Sequence, residues 1–383
     1  MRIAQVVTLI APDAAYGGPV RVAINQAKAL IALGHEVTVF AGTRGYGAAP
    51  TSIDGVPVRL YPVSQLVPRI GFAGMTSLGL LNALRSEARK HDVWHIHLAR
   101  DLITLPATTL IRRSGVPYVI QCHGMIDSTK KLLAIPLDLL LTRPAIMGAS
   151  GVLTLTPRED QDLREVARFD IETSRVINGV PVPNIILKVS TGQVESLFLA
   201  RLHVRKRPLS FVRSAVQLAP ALPSATFTIV GPDEGEGAAV KKEIENSGVA
   251  TSIKWEGPLP PEATLDRMSQ ADIYVLPSVN EPFPMAVLEA MSLGIPVIIT
   301  ATCGLAPYVR KANAGIVIDD DPQSLTPALQ ALIEDSALRQ QMGDNARSLV
   351  RKDFSMRSVA QALLVQYEGS SKNRDRSRRS KNK

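Results

Sequence analysis

Ile273-Tyr274-Val275-Leu276-Pro277-Ser278, then Val279-Asn280, then Glu281-Pro282-Phe283-Pro284-Met285-Ala286-Val287-Leu288-Glu289-Ala290, reads as a strand, a turn and the opening of a helix. The apolar run 272–276 is short and rich in β-formers. A helical pattern follows over 284–293. Pro284 is expected at the first helical position, where its missing N–H had no intrahelical partner anyway. Working outward, the same unit recurs. Strands are expected at 194–200, 225–230, 251–255 and 296–300, alternating with helices at 206–219, 237–247 and 261–269. Helices 323–334, 336–351 and 355–368 close the chain. In the first half, strands 2–10, 36–41, 93–97, 117–121 and 151–156 alternate with helices 18–33, 74–90 and 100–113. A hairpin is expected at Asp54-Gly55. In helix 18–33, Val20, Ile24, Ala27 and Ile31 share one face, and Gly34 stands where a helix end favours glycine. Such alternation is the mark of α/β domains built on parallel sheets.

The chain has 383 residues, which suits two domains, and 45% of them are apolar. Weak punctuation at Asn178-Gly179, Pro181 and Pro183 places a linker at about 180–192. The domains are read as 1–185 and 186–354, with helix 355–368 and a disordered basic tail, 369–383. Aromatic residues are 4% of the chain, which argues against a stacking platform for nucleic acid. Cys122 and Cys303 make neither a disulfide framework nor a metal spacing. No apolar run approaches the ~20 residues of a membrane span, and the short run 3–10 reads as a buried strand rather than a signal peptide. These features suit the cytoplasm. The net charge is +8, and residues 371–383 hold seven Lys/Arg against one Asp. The tail reads as a solvated end; the alternative is a polybasic contact with an anionic membrane on the inner face of the cell membrane.

Four stretches are candidates for chemistry. The amides of Met285, Ala286 and Val287 lie at a helix start, which favours a phosphate. Glu281 and Glu289 flank that start and suit a sugar nucleotide, or else are a capping and an ordinary helical glutamate. Arg201 and Lys206 bracket the next strand-to-helix turn. Arg clamps phosphate oxygens bidentately and Lys supplies a point charge; the other reading is a solvated basic loop. Gly17 and Gly18, in Tyr16-Gly17-Gly18-Pro19, let the backbone approach a ligand closely, but no dinucleotide fingerprint is present. His123 follows strand 117–121, at the edge where α/β sheets bind ligands. Of His95 and His97, one is expected to face the sheet's other side. Asp319-Asp320-Asp321 reads as a turn and cap rather than a metal site.

Taken together these pieces resemble the family 4 retaining glycosyltransferases, over nearly the whole chain. The resemblance rests on the E-x7-E pair Glu281/Glu289 and the R-x4-K pair Arg201/Lys206. Supporting matches are Gly34-His35-Glu36-Val37, Asp92-Val93-Trp94-His95, Val176-Ile177-Asn178-Gly179-Val180 and Gly231-Pro232-Asp233. It implies the GT-B architecture, two Rossmann-like domains facing each other across a cleft. It implies an enzyme that moves a hexose-type sugar, with retention, from a nucleotide-diphosphate sugar to a glycan or lipid-linked acceptor in polysaccharide or glycolipid synthesis. Neither a metal nor a cofactor is implied. Arg201 and Lys206 would hold the diphosphate with the helix start 284–287, Glu289 the ribose, and Glu281 would lie under the sugar. Gly17 and Gly18 would admit phosphates and acceptor, and His123 would line the reacting end. Two positions depart from the family pattern, Ala200 and Pro284, where glycine is common; Pro284 is expected to delete one amide donor. The rival readings are a sugar-nucleotide epimerase or phosphorylase of the same fold, and a non-catalytic sugar-nucleotide-binding protein. The apolar residues Phe72, Met75, Leu78, Leu81 and Leu84, and the stretch Leu132–Leu141 after Lys130-Lys131, are expected to be mostly core, or else a membrane-facing surface.

Overall fold

The computed structural model describes residues 1–12, 17–68, 70–128, 134–183, 192–260 and 263–381. Tyr16, Lys130 to Leu133, most of the expected linker and the first residues of helix 261–269 lie outside the described residues. The chain divides into two units, Met1–Gly179 with Met356–Lys383, and Val180–Ser355.

In the first unit the strands are β1 (Arg2–Ile10), β2 (Glu36–Thr43), β3 (Ser52–Ile53), β4 (Val56–Pro62), β5 (Ser64–Gln65), β6 (Met75–Thr76), β7 (Val93–His97), β8 (Tyr118–Gln121), β9 (Gly151–Thr154) and β10 (Thr173–Arg175). The main sheet runs β10-β9-β8-β7-β1-β2-β4-β3. Its pairs are parallel except β3/β4, the hairpin that turns at Asp54-Gly55. Helices α1 (Gly17–Ala32), α2 (Leu78–Glu87), α3 (Thr104–Ser114), α4 (Ala134–Leu137), α5 (Arg143–Met147) and α6 (Pro157–Ala167) cover it. Alternate residues of β1 serve opposite faces. Ala4 and Val6 join Leu84, Ile96, Leu105 and Ile111 on one side. Ile3 and Val7 join Ile24, Ala27 and Leu30 of α1 on the other.

The second unit has β11 (Val194–Leu199), β12 (Ala225–Val230), β13 (Ile253–Trp255), β14 (Ile273–Leu276), β15 (Val297–Thr300) and β16 (Gly315–Ile318). They form a parallel sheet in the order β13-β12-β11-β14-β15-β16. Its helices are α7 (Pro208–Leu218), α8 (Gly237–Asn246), α9 (Thr264–Met268), α10 (Met285–Ser292), α11 (Ala306–Ala312), α12 (Leu325–Glu334) and α13 (Ser336–Asp353). The last helix, α14 (Met356–Lys381), belongs to the first unit. Val359, Ala360, Leu363 and Tyr367 of α14 share the α1 face of its core. That apolar stripe anchors the helix, which runs beyond Glu368, through residues expected to be disordered, to Lys381.

The segment 134–147 departs from the expected core. Leu137 and Leu141 pack inward, but Ile135, Leu139, Leu140 and Met147 are exposed, as is Leu78 at the start of α2. A π-helical turn, Asp138–Thr142, interrupts the helical register. Asp138 is turned inward there, because Arg100 donates to both its oxygens, Nε at 2.8 Å and Nη2 at 3.0 Å. Leu139 and Leu140 are then carried outward. By contrast Met75 and Leu84 are buried, and Leu81 packs against the core.

Candidate active site

Each sheet has a point where the strand order reverses, and ligands of open α/β sheets bind beyond the carboxyl ends of the strands there. In the second unit that point lies between β11 and β14. Arg201 and Lys206 follow β11, and Glu281 follows β14. Residues 75 apart in sequence meet at it: Lys206 Nζ donates to Glu281 Oε2 at 2.5 Å. The two side chains are only 12% and 11% exposed. Val204–Lys206 form one 3-10 turn capped by His203, whose Nδ1 accepts from Arg205 N. Val279 N donates to Arg205 O at 3.1 Å and stitches the two loops together. Ser278 Oγ, 3.1 Å from both Arg205 O and Glu281 Oε2, shares its proton between them. Gly304 N holds the Glu281 carbonyl at 2.9 Å. Burial lowers the Lys206 pKa, Glu281 pulls it back up, and Arg205 and Arg201 depress it further.

Arg201 donates through Nη1 to both oxygens of Glu234, at 2.8 and 2.9 Å, and this pair is half exposed. Neither Glu234 nor Ser278 stood out in the sequence, although Glu234 directly follows Gly231-Pro232-Asp233. Gly231 itself is obligatory. Its φ is +147°, and a Cβ there would lie 2.0 Å from the Ala200 carbonyl oxygen.

Pro284 requires a correction. It stands before the helix in extended conformation (φ −73°, ψ 113°), so Met285 is the first residue of α10. Pro284 therefore removes no first-turn donor. The amides of Met285, Ala286 and Val287 occupy the first three helical positions, and Pro284 before them offers no side-chain cap. Glu289 lies on the buried face of α10. The three aspartates serve separate neighbours. Asp319 accepts from Asp321 N, Asp320 from the Thr302 hydroxyl, and Asp321 caps the turn at Gln323 N.

In the first unit the order reverses between β1 and β7. Gly17 and Gly18, after β1, are the first two residues of α1. A Cβ on Gly18 would meet nothing within 4 Å, so packing within the unit does not demand the glycine. His123 lies just beyond β8 in a left-handed conformation (φ +53°). Gly124 N, next to it, donates to Glu159 Oε1 at 2.9 Å, while Leu155 N donates to Glu159 Oε2 at 2.6 Å. One buried carboxylate thus joins the ends of β8 and β9.

His95 and His97, two residues apart on β7, lie on the same side of the strand, as a period of two requires. Their rings stack at 4.5 Å, which corrects the expectation that one turns away. His95 Nδ1 meets the Tyr367 hydroxyl at 2.8 Å, and His97 Nδ1 meets His123 Nε2 at 2.7 Å. Burial lowers the pKa of all three rings, to about 3 for His95 and for His123. All three are neutral at physiological pH. Around them, Gln26 Nε2 donates to Gln121 Oε1 at 3.1 Å, and Gln121 Nε2 reaches Asn178 Oδ1 at 3.4 Å.

The fold and the family are shared with known proteins. The structure of Anabaena HepE in complex with UDP and glucose matches 96% of this chain and 99% of that one, with a TM-score of 0.72 at 18% identity. The fold is therefore GT-B. The family model for glycosyl transferases group 1 matches residues 186–349, and that for the glycosyl transferase 4-like domain matches residues 17–179. The chain belongs to the group 1 glycosyltransferases. Two D-inositol 3-phosphate glycosyltransferases are among its relatives. The one from Thermomonospora curvata is 26% identical over 386 residues, spanning 90% of this chain and 89% of that protein. The one from Corynebacterium diphtheriae is 29% identical over 341 residues, spanning 81% and 76%.

Proposed function

We propose that this glycosyltransferase moves a hexose-type sugar from a nucleotide-diphosphate sugar to a glycan or lipid-linked acceptor, with retention and without a metal. The observation that carries the reading is the Lys206–Glu281 contact at the β11/β14 switch point. It sets a cation and a carboxylate together beside the uncapped start of α10. As the acceptor hydroxyl attacks the anomeric carbon, the C1–O bond to the diphosphate breaks and its electron pair goes to the phosphate oxygen. Lys206, Arg201 and the amides of Met285 to Val287 stabilise that developing charge, in the manner of fixed donors aimed at a leaving group. The departing phosphate takes the acceptor proton. Glu281 lies under the transferred sugar, Glu289 holds the ribose, and Gly17, Gly18 and His123 serve the reacting end. The UDP and glucose of HepE favour a uridine nucleotide donor.

The test is a thermal-shift panel of UDP, GDP, ADP and TDP and their sugar conjugates, run with EDTA and, separately, with divalent metal. A ligand that binds only the native state raises the melting temperature. Stabilisation by one nucleotide family, lost in Lys206→Ala, supports the donor site and its independence of metal. No shift with any nucleotide, or a shift that needs divalent metal, refutes the corresponding part. Product analysis with the matching sugar nucleotide then separates transfer from epimerisation.

Exposed Ile135, Leu139, Leu140 and Met147 favour a lipid-linked acceptor taken from a membrane surface. Among the described residues, no helix is long and apolar enough to cross a membrane, and the contact proposed is a peripheral one. Leu139→Ser/Leu140→Ser is expected to lose sedimentation with anionic vesicles while keeping nucleotide binding. The D-inositol 3-phosphate named for the relatives supplies the competing acceptor class. Faster transfer to it than to a lipid-linked sugar would replace the lipid reading.

A further inference from the structure

His95 and His97, both buried, and the half-buried His123 form a device in which the expected site residue, His123, is the outermost member. We propose that His97 is the positioning residue of His123: their Nδ1–Nε2 hydrogen bond forces both rings to carry the proton on the same nitrogen, so His97 decides whether His123 Nδ1 is a donor or an acceptor. This rests on the reading that His123 serves the transfer.

One bond ties the two rings together. His97 Nδ1 and His123 Nε2 are 2.7 Å apart, and the planes of the rings differ by 6°. A neutral imidazole has one N–H and one bare nitrogen. If His97 Nδ1–H donates, His123 Nε2 is bare and its proton is on Nδ1. If His123 Nε2–H donates, His97 Nδ1 is bare and the proton of His97 is on Nε2. The rings are therefore both Nδ1–H or both Nε2–H, and mixed states would set two protons or two lone pairs against each other. Burial keeps both rings neutral, which removes the escape of double protonation.

The surroundings hold the pair in place. Glu159 fixes the left-handed turn through Gly124 N, so the main chain of His123 is set independently of its ring. His95 stacks on His97 and is itself held by Tyr367 of α14. His123 Nδ1 and His97 Nε2 are the remaining nitrogens of the pair, and both are buried without a hydrogen-bond partner among the described residues. The bond thus transmits the state of one free nitrogen to the other. His123 has no free choice of tautomer when a hydroxyl or phosphate oxygen approaches its Nδ1.

The test uses full-length protein labelled with ¹⁵N-histidine. Two-bond proton–nitrogen spectra distinguish protonated from bare ring nitrogens, and the six histidines are assigned by single replacement. His97 and His123 are expected in the same tautomer. Opposite tautomers in the wild type overturn the proposal, whatever any variant does. His97→Leu is expected to leave His123 in a mixture and to lower kcat about tenfold, the low end for outer-shell partners, with little change in donor KM. His97→Asn, which keeps a hydrogen-bonding group near the Nδ1 position, is expected to recover most of kcat. An unchanged His123 spectrum in folded His97→Leu also overturns it. Failure of the functional reading has a different signature: His123→Ala with full transfer activity, the wild-type tautomers remaining matched.

Discussion

Replacing Lys206 by methionine keeps most of the side chain's length and volume and deletes its charge. Glu281 would then keep the Ser278 hydroxyl and Arg205, whose guanidinium is 3.8 Å away and 46% exposed. Breaking a buried ion pair by removing one partner costs about 3–5 kcal/mol. The remaining Arg205 and Ser278 put this case near about 3 kcal/mol, less than the stability of most domains. The catalytic loss is separate. A fixed donor facing a developing anion contributes about 10²–10³ in kcat. Lys206→Met alone confounds the two effects, and Lys206→Met/Glu281→Gln separates them. Removing both charges relieves the orphaned carboxylate, so local stability should return to within about 1 kcal/mol of the wild type, by the logic of a double-mutant cycle. Transfer should stay lost. The assay is hydrogen exchange over the β14–α10 peptides together with product formation. Turnover within threefold of the wild type in a folded Lys206→Met protein would refute the leaving-group role. Equal local stability of the single and double variants would refute the pairing.

Three further outcomes follow from the geometry. The folded state disfavours protonated His95, His97 and His123, so the stability they contribute is complete above pH 6.5 and is lost as pH falls towards about 3. By pH 5 the loss is about 2 kcal/mol for each ring held near 3, less the relief at Asp101 and Glu159, whose carboxyls burial holds high. Exchange of the β7 amides at pH 7.5 and pH 5 measures it, and equal rates would contradict the burial of these rings. Gly231→Ala must move either its own backbone or the Ala200 carbonyl, and should cost more than about 2 kcal/mol. Urea unfolding of the second unit tests that, a neutral result meaning the turn relaxes freely. Glu159→Ala removes the acceptor of two backbone amides and should destabilise by about 2 kcal/mol or more. Glu159→Gln, which keeps one carbonyl acceptor, should cost less, and calorimetry ranks the two.

The alternation of strand and helix runs settled the α/β class and the two parallel-sheet domains, because a short buried β-run and an amphipathic helix each carry their own periodicity. The pairs Arg201/Lys206 and Glu281/Glu289 were legible for the same reason: each lies within one strand-to-helix unit. Several elements were not legible. Helix α6 and strand β16 were passed over, α6 because its charged sequence, Pro157–Ala167, shows only a narrow apolar stripe. The contacts of Lys206 with Glu281, of Arg201 with Glu234 and of His97 with His123 join residues separated by 75, 33 and 26 positions. No local pattern encodes such distances; strand order does, by bringing β14 beside β11 and β8 beside β7. The outward turn of Leu139 and Leu140 was likewise hidden, since it depends on Arg100 drawing Asp138 inward from another part of the chain. Sequence determined which residues carry charge and which of them follow β11 and β14. Tertiary structure decided which charges meet, because only the packed sheet chooses the neighbours of each strand.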